Sequence, residues 1–385
     1  MDGDSEKAIA VKLDHMGYIP ISIHPDKGES KINKILSRFE VVRFSDLNMF
    51  TRQFYTLQKA GLPLLASLNA LREQSTNRIL KNVIEQLRRD VEAGTNLSGA
   101  LERHPAIFNT LYVNMIKSGE VSGRLAEILE RLATLGEHEE KIRLKINAAM
   151  RYPLMVVVTL TIGFLILITF VIPRFTEIYN KFTTALPLPT QILIGVHYTM
   201  VHFWWLIILT IVAVISLLKF IIRTPAGRFW WDGLKLKVPV LGPLFLKLTM
   251  SRFSRITATL MMSGISILEI LDLVGDGVGN GVIRRTILDV KNSVNEGKGM
   301  SEPMKMSGMF PPVVVQMVAV GEETGKLDEL LLHISDYYDS QIDYTVQNLI
   351  SLIEPMLIFV LAIAVLIMAL GIFMPMWNMM QLFKK

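Results

Sequence analysis

Three stretches of about 20 residues, 154–172, 201–218 and 356–374, contain no Asp, Glu, Lys or Arg. As a helix rising 1.5 Å per residue, each is long enough to cross a hydrocarbon core of about 30 Å. A buried helix of a soluble protein could imitate one such stretch, but three in one chain define a membrane protein. Charged residues make up 19% of the chain, below the roughly 25% of soluble domains. Setting the three stretches aside brings the remainder close to that value, so large parts of the chain face water. No cleavable signal is expected, because the first 30 residues carry Asp2, Asp4 and Glu6 and lack an apolar core. Without cysteine there are no disulfides, thiolate metal sites or cysteine nucleophiles. The net charge of +5 does not point to nucleic acid, because the basic residues cluster beside the apolar stretches.

An internal repeat organises the rest. Residues 50–104 match 253–307 at a shift of 203, with Phe50 on Phe253, Arg52 on Arg255, Gly61 on Gly264, Asn77 on Asn280 and Gly94 on Gly297. One residue is then lost. At a shift of 202, Phe108 meets Phe310, Gly119-Glu120 meets Gly321-Glu322, Gly123 meets Gly325, Pro153 meets Pro355 and Pro173 meets Pro375. The repeating unit is thus a soluble module of about 100 residues followed by a spanning helix bracketed by prolines. Two like modules are most simply placed on one side of the bilayer, and the unpaired stretch at 201–218 returns the chain between them. Lys141, Arg143, Lys145 and Arg151 precede the first span, and Lys219, Arg223, Arg228, Lys235 and Lys237 follow the second. The intervening loop holds only Arg174 and Lys181, which puts both modules in the cytoplasm by the positive-inside tendency. Lys384 and Lys385 vote the other way, and the repeat outweighs them.

Inside the modules the apolar spacing is helical: Leu47, Phe50, Phe54 and Leu57; Leu125, Leu129, Leu132 and Leu135; Ile283, Ile287, Val290 and Val294. Breaks at 61–63, 94–96, 104–105 and 119–123 predict about six helices per module. The last of these runs on into the membrane, with a kink at Pro153 and its counterpart Pro355. The expected fold is an all-α membrane protein with two repeated cytoplasmic six-helix bundles and three transmembrane helices. Its expected parts are an N-terminal segment, 1–43, partly disordered; a first bundle, 44–150; a span, 151–173; a short periplasmic loop, 174–195; and a second span, 196–222. An interfacial linker, 223–249, a second bundle, 250–353, a third span, 354–376, and a tail, 377–385, follow. Phe229, Trp230, Trp231, Lys235 and Lys237 suit the linker to the headgroup level. A weak strand hint occurs at 18–23.

Several strings imitate chemistry. GEETGK at 321–326 has three residues between its glycines and Leu327 after the lysine, so it fails the phosphate-loop pattern. It reads as a helix–helix turn in which Thr324, like Ser122 in the first copy, caps the next helix, with Glu127, Asp328 and Glu329 at its positive end. Gly275, Gly277, Gly279 and Gly281 fail the dinucleotide spacing and read as an inter-helix turn. The histidines lack zinc-site spacing. Glu137, Glu139, Glu140, Asp336, Asp339 and Asp343 fall on corresponding helices and read as solvated faces, with weak cation binding or a protein partner as the alternatives. Nothing in the spacing argues for a catalytic, cofactor-binding or metal-binding residue.

The paired GExxGxL strings, RYPL at 151–154, LPLPTQIL at 186–193, VPVLGPL at 238–244 and EPMLI at 354–358 together resemble the type II secretion F / type IV pilus inner-membrane platform family over about residues 40–380. GIFMPMW at 371–377 is closer to the pilus-type members. The resemblance implies a non-catalytic, multi-pass protein of the bacterial inner membrane, a dimer or higher oligomer at the base of a fibre machine. It further implies contact with a hexameric assembly or retraction ATPase, pilin or pseudopilin subunits and other inner-membrane assembly proteins, and no cofactor. Members open with an additional short segment, of which only GYIPISI at 17–23 is visible, pointing to a truncated or misassigned start. Gly119, Glu120, Gly123 and Gly321, Glu322, Gly325 are the candidates for positioning each bundle or its partner contact. The competing reading is a small-solute permease, since transporters are often built from repeats. The charge-free spans argue against an ion-coupled one.

Overall fold

The computed structural model describes residues 41–171, 173, 188–239 and 241–382. All regular structure among them is helical, without a strand, as the all-α reading expects; the hint at 18–23 lies outside the described residues. The chain divides into two compact units, Met1–Ala100 and Leu101–Lys385.

The first unit contains α1 (Phe44–Lys59), α2 (Leu64–Gln74) and α3 (Arg78–Glu92). Their apolar stripes meet: Phe50 and Phe54 of α1, Leu68 and Leu71 of α2, and Leu80, Ile84 and Leu87 of α3 are all buried. The turn between α1 and α2 depends on Gly61, whose φ of +80° a side chain would resist. Asn77 starts α3 by accepting hydrogen bonds from the Ile79 and Leu80 amides at 3.0 and 3.1 Å, satisfying two orphan donors of the first turn.

The second unit takes up the chain within α4 (Leu97–Glu102) and continues through α5 (Thr110–Ser122), α6 (Leu125–Ile166) and a π-helical turn at Leu167–Val171. Then come α7 (Leu188–His202), α8 (Trp204–Arg223), α9 (Pro225–Lys237), α10 (Leu241–Met262), α11 (Ile267–Gly277) and α12 (Gly281–Asn295). The last three are α13 (Ser301–Ser307), α14 (Pro312–Thr324) and α15 (Leu327–Leu382). Among the described residues three helices are long and apolar enough to cross a membrane, within Leu125–Phe170, Trp204–Arg223 and Leu327–Ile367. α8 buries none of its residues. α6 and α15 each run from bundle to span without interruption, and the backbone stays helical through Pro153 and Pro355. Neighbouring helices and local backbone adjustment make a proline tolerable in such a setting. Ahead of α8, residues 188–202 form a helix of their own, ended at Phe203, where the sequence suggested a loop to 195 and a single span from 196. Likewise α10 begins at Leu241, inside the stretch assigned to the linker, and α15 carries the chain past 377.

The repeat recurs as conformation. Gly61 and Gly264, Gly94 and Gly297, and Gly123 and Gly325 adopt closely similar positive φ values. Asn280 opens α12 as Asn77 opens α3, accepting from the Val282 and Ile283 amides. The glycine cluster at 275–281 narrows to a three-residue turn, because Gly275 and Gly277 are helical and Gly281 is already the first residue of α12. Gly281 has a packing reason. Its amide donates to the buried Asp232 carboxylate of α9 at 2.8 Å, and an added Cβ would stand 3.3 Å from that oxygen. The Asn280 side chain also donates to the Asp232 carbonyl, so α9 is latched onto the start of α12.

In the first unit one carboxylate gathers three guanidinium groups. Glu85 accepts from Arg88 at 3.0 Å, Arg89 at 2.8 Å and Arg72 at 3.1 Å. The bond from Arg88, then that from Arg89, lowers its pKa from 4.5 to about 2, against a smaller opposing effect of burial. Since the folded value lies below the unfolded one, this stabilisation is complete above about pH 4.5 and fades as pH falls toward 2. Glu85→Gln should therefore lower the melting temperature of the detergent-purified chain at pH 6, with the gap to wild type closing near pH 2.5. A gap independent of pH would show that the ion cluster is not its cause.

Candidate transmission interface

The two long helices α6 and α15 belong to different copies of the repeat, and α10 lies against both. α6 meets α10 first where Arg131 reaches Met262, then where Glu139 meets Arg252, and last where Ile146 and Ala149 join the cluster of Leu244 and Leu248. α10 is therefore antiparallel to α6 over about 18 residues, or about 27 Å of helix.

At the end away from the membrane, Arg131 reaches across and donates to the Met262 carbonyl at 2.9 Å, while Glu127 accepts from the same guanidinium at 2.8 Å. It satisfies a carbonyl at the C-terminus of α10, where the helix dipole favours a cation. In the middle, Arg255 spans one turn of α15, donating to Asp336 at 2.7 Å and Asp339 at 2.8 Å. Asp339 also accepts from the Ser251 hydroxyl at 2.6 Å, and its Oδ1 lies 3.3 Å from His138 Nε2 of α6. Glu139 of α6 accepts from Arg252 of α10 at 3.1 Å and from Arg143 at 2.6 Å. Nearer the membrane Lys145 of α6 pairs with Asp343 of α15, and Lys247 donates to Thr345 at 2.8 Å. The polar ladder gives way to an apolar cluster in which Leu244, Ile342 and Val346 pack with Ile146, Ala149, Leu248 and Leu349. Pro153 and Pro355 follow a few residues on.

This corrects the reading of Glu139, Asp339 and Asp343 as solvated faces, whereas Glu137 and Asp336 are exposed as expected. Glu139, Asp336, Asp339 and Asp343 face basic partners on other helices. Their spacing alone could not reveal this, since the partners Arg252 and Arg255 are distant in sequence and the start of their helix had been assigned to a linker. A signal existed: α10 carries Lys247, Arg252 and Arg255 and no acid, which complements the acidic stripe of α15. Among the described residues no group of three or more His, Asp or Glu is placed to hold a metal ion.

The paired glycine candidates do not join this ladder. They sit where α5 meets α6 and where α14 meets α15. Gly119 and Gly321 are buried within their helices, so 119–123 is not one break: each helix runs on to Ser122 or Thr324 and ends at Gly123 or Gly325. A Cβ on Gly119 would lie 3.0 Å from Ile128, and one on Gly321 would lie 2.9 Å from the Leu327 Cα. Ser122 and Thr324 do not cap the following helices. Their hydroxyls donate back to the carbonyls of Ser118 and Val320, an i−4 bond that competes with outward capping. The acids do fall in the first turns as expected, Glu127 in α6 and Asp328 and Glu329 in α15. Glu322 accepts from the Met300 and Ser301 amides, tying α14 to the start of α13. Its counterpart Glu120 is half-buried on α5.

Residues 50–173 and 253–375 each match the family described as type II secretion system (T2SS), protein F, and these spans are the two repeats with their membrane helices. The chain belongs to this family. It is 34% identical to the type IV pilus assembly protein PilC of Myxococcus xanthus over 98% of the chain and 91% of that protein. The protein of the same name from Thermus thermophilus is 38% identical over 86% of the chain and 82% of its own length. The type II secretion system protein F of Vibrio cholerae is 28% identical over 100% of the chain and 95% of its own length. The family resemblance read from GExxGxL and its companion strings is thereby shown.

The inner and outer rungs of the ladder should differ in strength. Arg255 is 16% exposed and Asp339 23%, whereas Lys145 and Asp343 are each over 40% exposed. A double-mutant cycle on Arg255→Gln and Asp339→Asn should give a coupling of about 1–2 kcal/mol. The Lys145→Gln and Asp343→Asn cycle should stay below about 0.5 kcal/mol. Gly321→Ala should separately cost about 1–3 kcal/mol by overpacking against Leu327. Denaturation in detergent micelles measures all three, and equal coupling for both pairs would contradict the burial argument.

Proposed function

We propose that the protein is the inner-membrane platform subunit of a type IV pilus machine, or of the related type II secretion machine, and acts by transmitting movement rather than by chemistry. In this reading both helical modules lie in the cytoplasm and contact a hexameric ATPase. Displacement of a module is passed along α6 and α15 into the bilayer, where it shifts pilin or pseudopilin subunits toward the growing fibre. The protein works as a dimer or higher oligomer beside other assembly proteins of the same membrane.

One observation carries this reading: the second unit holds two helices that run unbroken from bundle to span, cross-linked over about 27 Å by a third. Continuous backbone hydrogen bonding makes such helices stiff along their axes, and the salt-bridge ladder hinders sliding between them. The names of the relatives, pilus assembly and type II secretion proteins, supply the kind of machine. Pro153 and Pro355 fit the role of pivots at the membrane surface, because each removes one ladder hydrogen bond. Gly119, Gly123, Gly321 and Gly325 fit a structural role, setting the angle at which each long helix leaves its bundle, with Glu120 and Glu322 bracing the helix that precedes it.

Inserting Gly-Gly after Leu135 should abolish fibre assembly while leaving membrane insertion and protein level near wild type. Two glycines weaken the helix by about 2 kcal/mol relative to alanine and rotate its two halves relative to each other. Normal fibre assembly with the insertion would sink rigid transmission. Co-purification of the tagged full-length chain with a hexameric ATPase and pilin-like subunits tests the partners separately.

A further inference from the structure

Where α8 leaves the membrane, its last turn, the start of α9 and the α11–α12 turn enclose a cleft of about 420 Å³ lined by Arg223, Arg228, Arg284, Asp276, Phe229 and Asn280, among others. We propose that this cleft binds the phosphodiester headgroup of an anionic glycerophospholipid. Arg284 is already paired with Asp276 at 2.7 Å. Arg223 and Arg228 are exposed, and neither has an ion-pair partner among the described residues. Three guanidinium groups against one carboxylate leave the cleft with two uncompensated positive charges. A planar guanidinium can engage a phosphate through two parallel hydrogen bonds.

The helix N-termini at the cleft are not the main source of attraction, because most of their first-turn amides are already engaged. Gly227 donates to the Thr224 hydroxyl, Gly281 to Asp232, and Val282 and Ile283 to Asn280. The arginines therefore carry the recognition. The position selects a lipid over a soluble phosphate. Arg223 is the last residue of a spanning helix, which puts it at the headgroup level. One turn earlier, Leu217, Phe220 and Ile221 are exposed along the same helix and offer a path for acyl chains. Phe229 and Trp230 project from α9 beside the cleft, the amphipathic aromatics that settle at a membrane interface. Asp232 fastens α9 in this place through Gly281 and Asn280, so the cleft is held open by bonds that do not involve the lipid.

Two uncompensated charges near a membrane surface predict a preference for anionic over zwitterionic lipid of roughly 10–30-fold. Full-length protein in detergent would be titrated with equimolar phosphatidylglycerol and phosphatidylcholine, and the retained lipid counted by native mass spectrometry. Wild type should retain phosphatidylglycerol at least tenfold over phosphatidylcholine, and Arg223→Gln/Arg228→Gln should bring the ratio near one. Arg223→Lys/Arg228→Lys should keep most of the preference, which separates charge from misfolding. Brominated phosphatidylglycerol should also quench wild-type tryptophan fluorescence more than the brominated choline lipid does, a readout that needs no variant. Equal retention of the two lipids by wild type would overturn the proposal. So would an unchanged ratio in the glutamine variant, or displacement of the lipid by 10-fold excess inorganic phosphate, which would make the cleft a soluble-phosphate site.

Discussion

The contact between Arg255 and the acidic turn of α15 is the joint on which the second unit depends. α6 and α15 are the corresponding long helices of the two repeats. What prevents their independence is α10, which offers Arg252 to Glu139 on one side and Arg255 to Asp336 and Asp339 on the other. Partly buried carboxylates need such partners, because removing one side leaves a charge short of both water and a counterion. The ladder therefore contributes register more than raw stability. Hydrophobic contact alone, as at Leu244, Ile342 and Val346, would tolerate a slip of one turn; a carboxylate with two specific donors does not.

Much of this was legible in the residues because the constraints that shape it are local or periodic. A charge-free run of about 20 residues reports its own environment, and the repeat marks positions where backbone conformation leaves no choice. Gly61 with Gly264 and Gly123 with Gly325 match because a positive φ suits glycine. Asn77 and Asn280 match because each opens a helix with a side-chain acceptor. The misreadings share a different physical cause. Ser122 and Thr324 have the composition of a cap, but capping requires a non-helical residue before the new helix, and both are still inside the old one. The acidic positions looked solvated because their partners lie more than 80 residues away, and no local pattern encodes a meeting of distant helices. Residue 241 looked like linker because Pro239 and Pro243 suggest irregular chain, whereas proline near the first turn of a helix is compatible with it.

Charge pairing is the common feature of the polar contacts among the described residues of the second unit. The polar side chains that converge in the second unit meet as matched pairs: arginine on aspartate, lysine on aspartate, serine on aspartate. The exception in charge is the arginine cleft at the end of α8, where basic groups converge without enough acid, and it lies at the boundary where anionic lipid is the most abundant counterion.

Coupling through a helix depends on what holds its two ends. In water, the bundle end of α6 is fixed by the packing of Ile128, Leu129, Leu132 and Ala133, all buried. In the bilayer the hydrophobic effect no longer discriminates helix from lipid, so association must come from close packing and polar contacts. Two of the described spans offer little of either: α8 buries nothing, and none of the third span's apolar window is buried. A displacement imposed on the bundle would meet resistance first in the ladder and then where the buried Ile168, beside Phe164, packs against Ile194, Val196 and Met200 of α7.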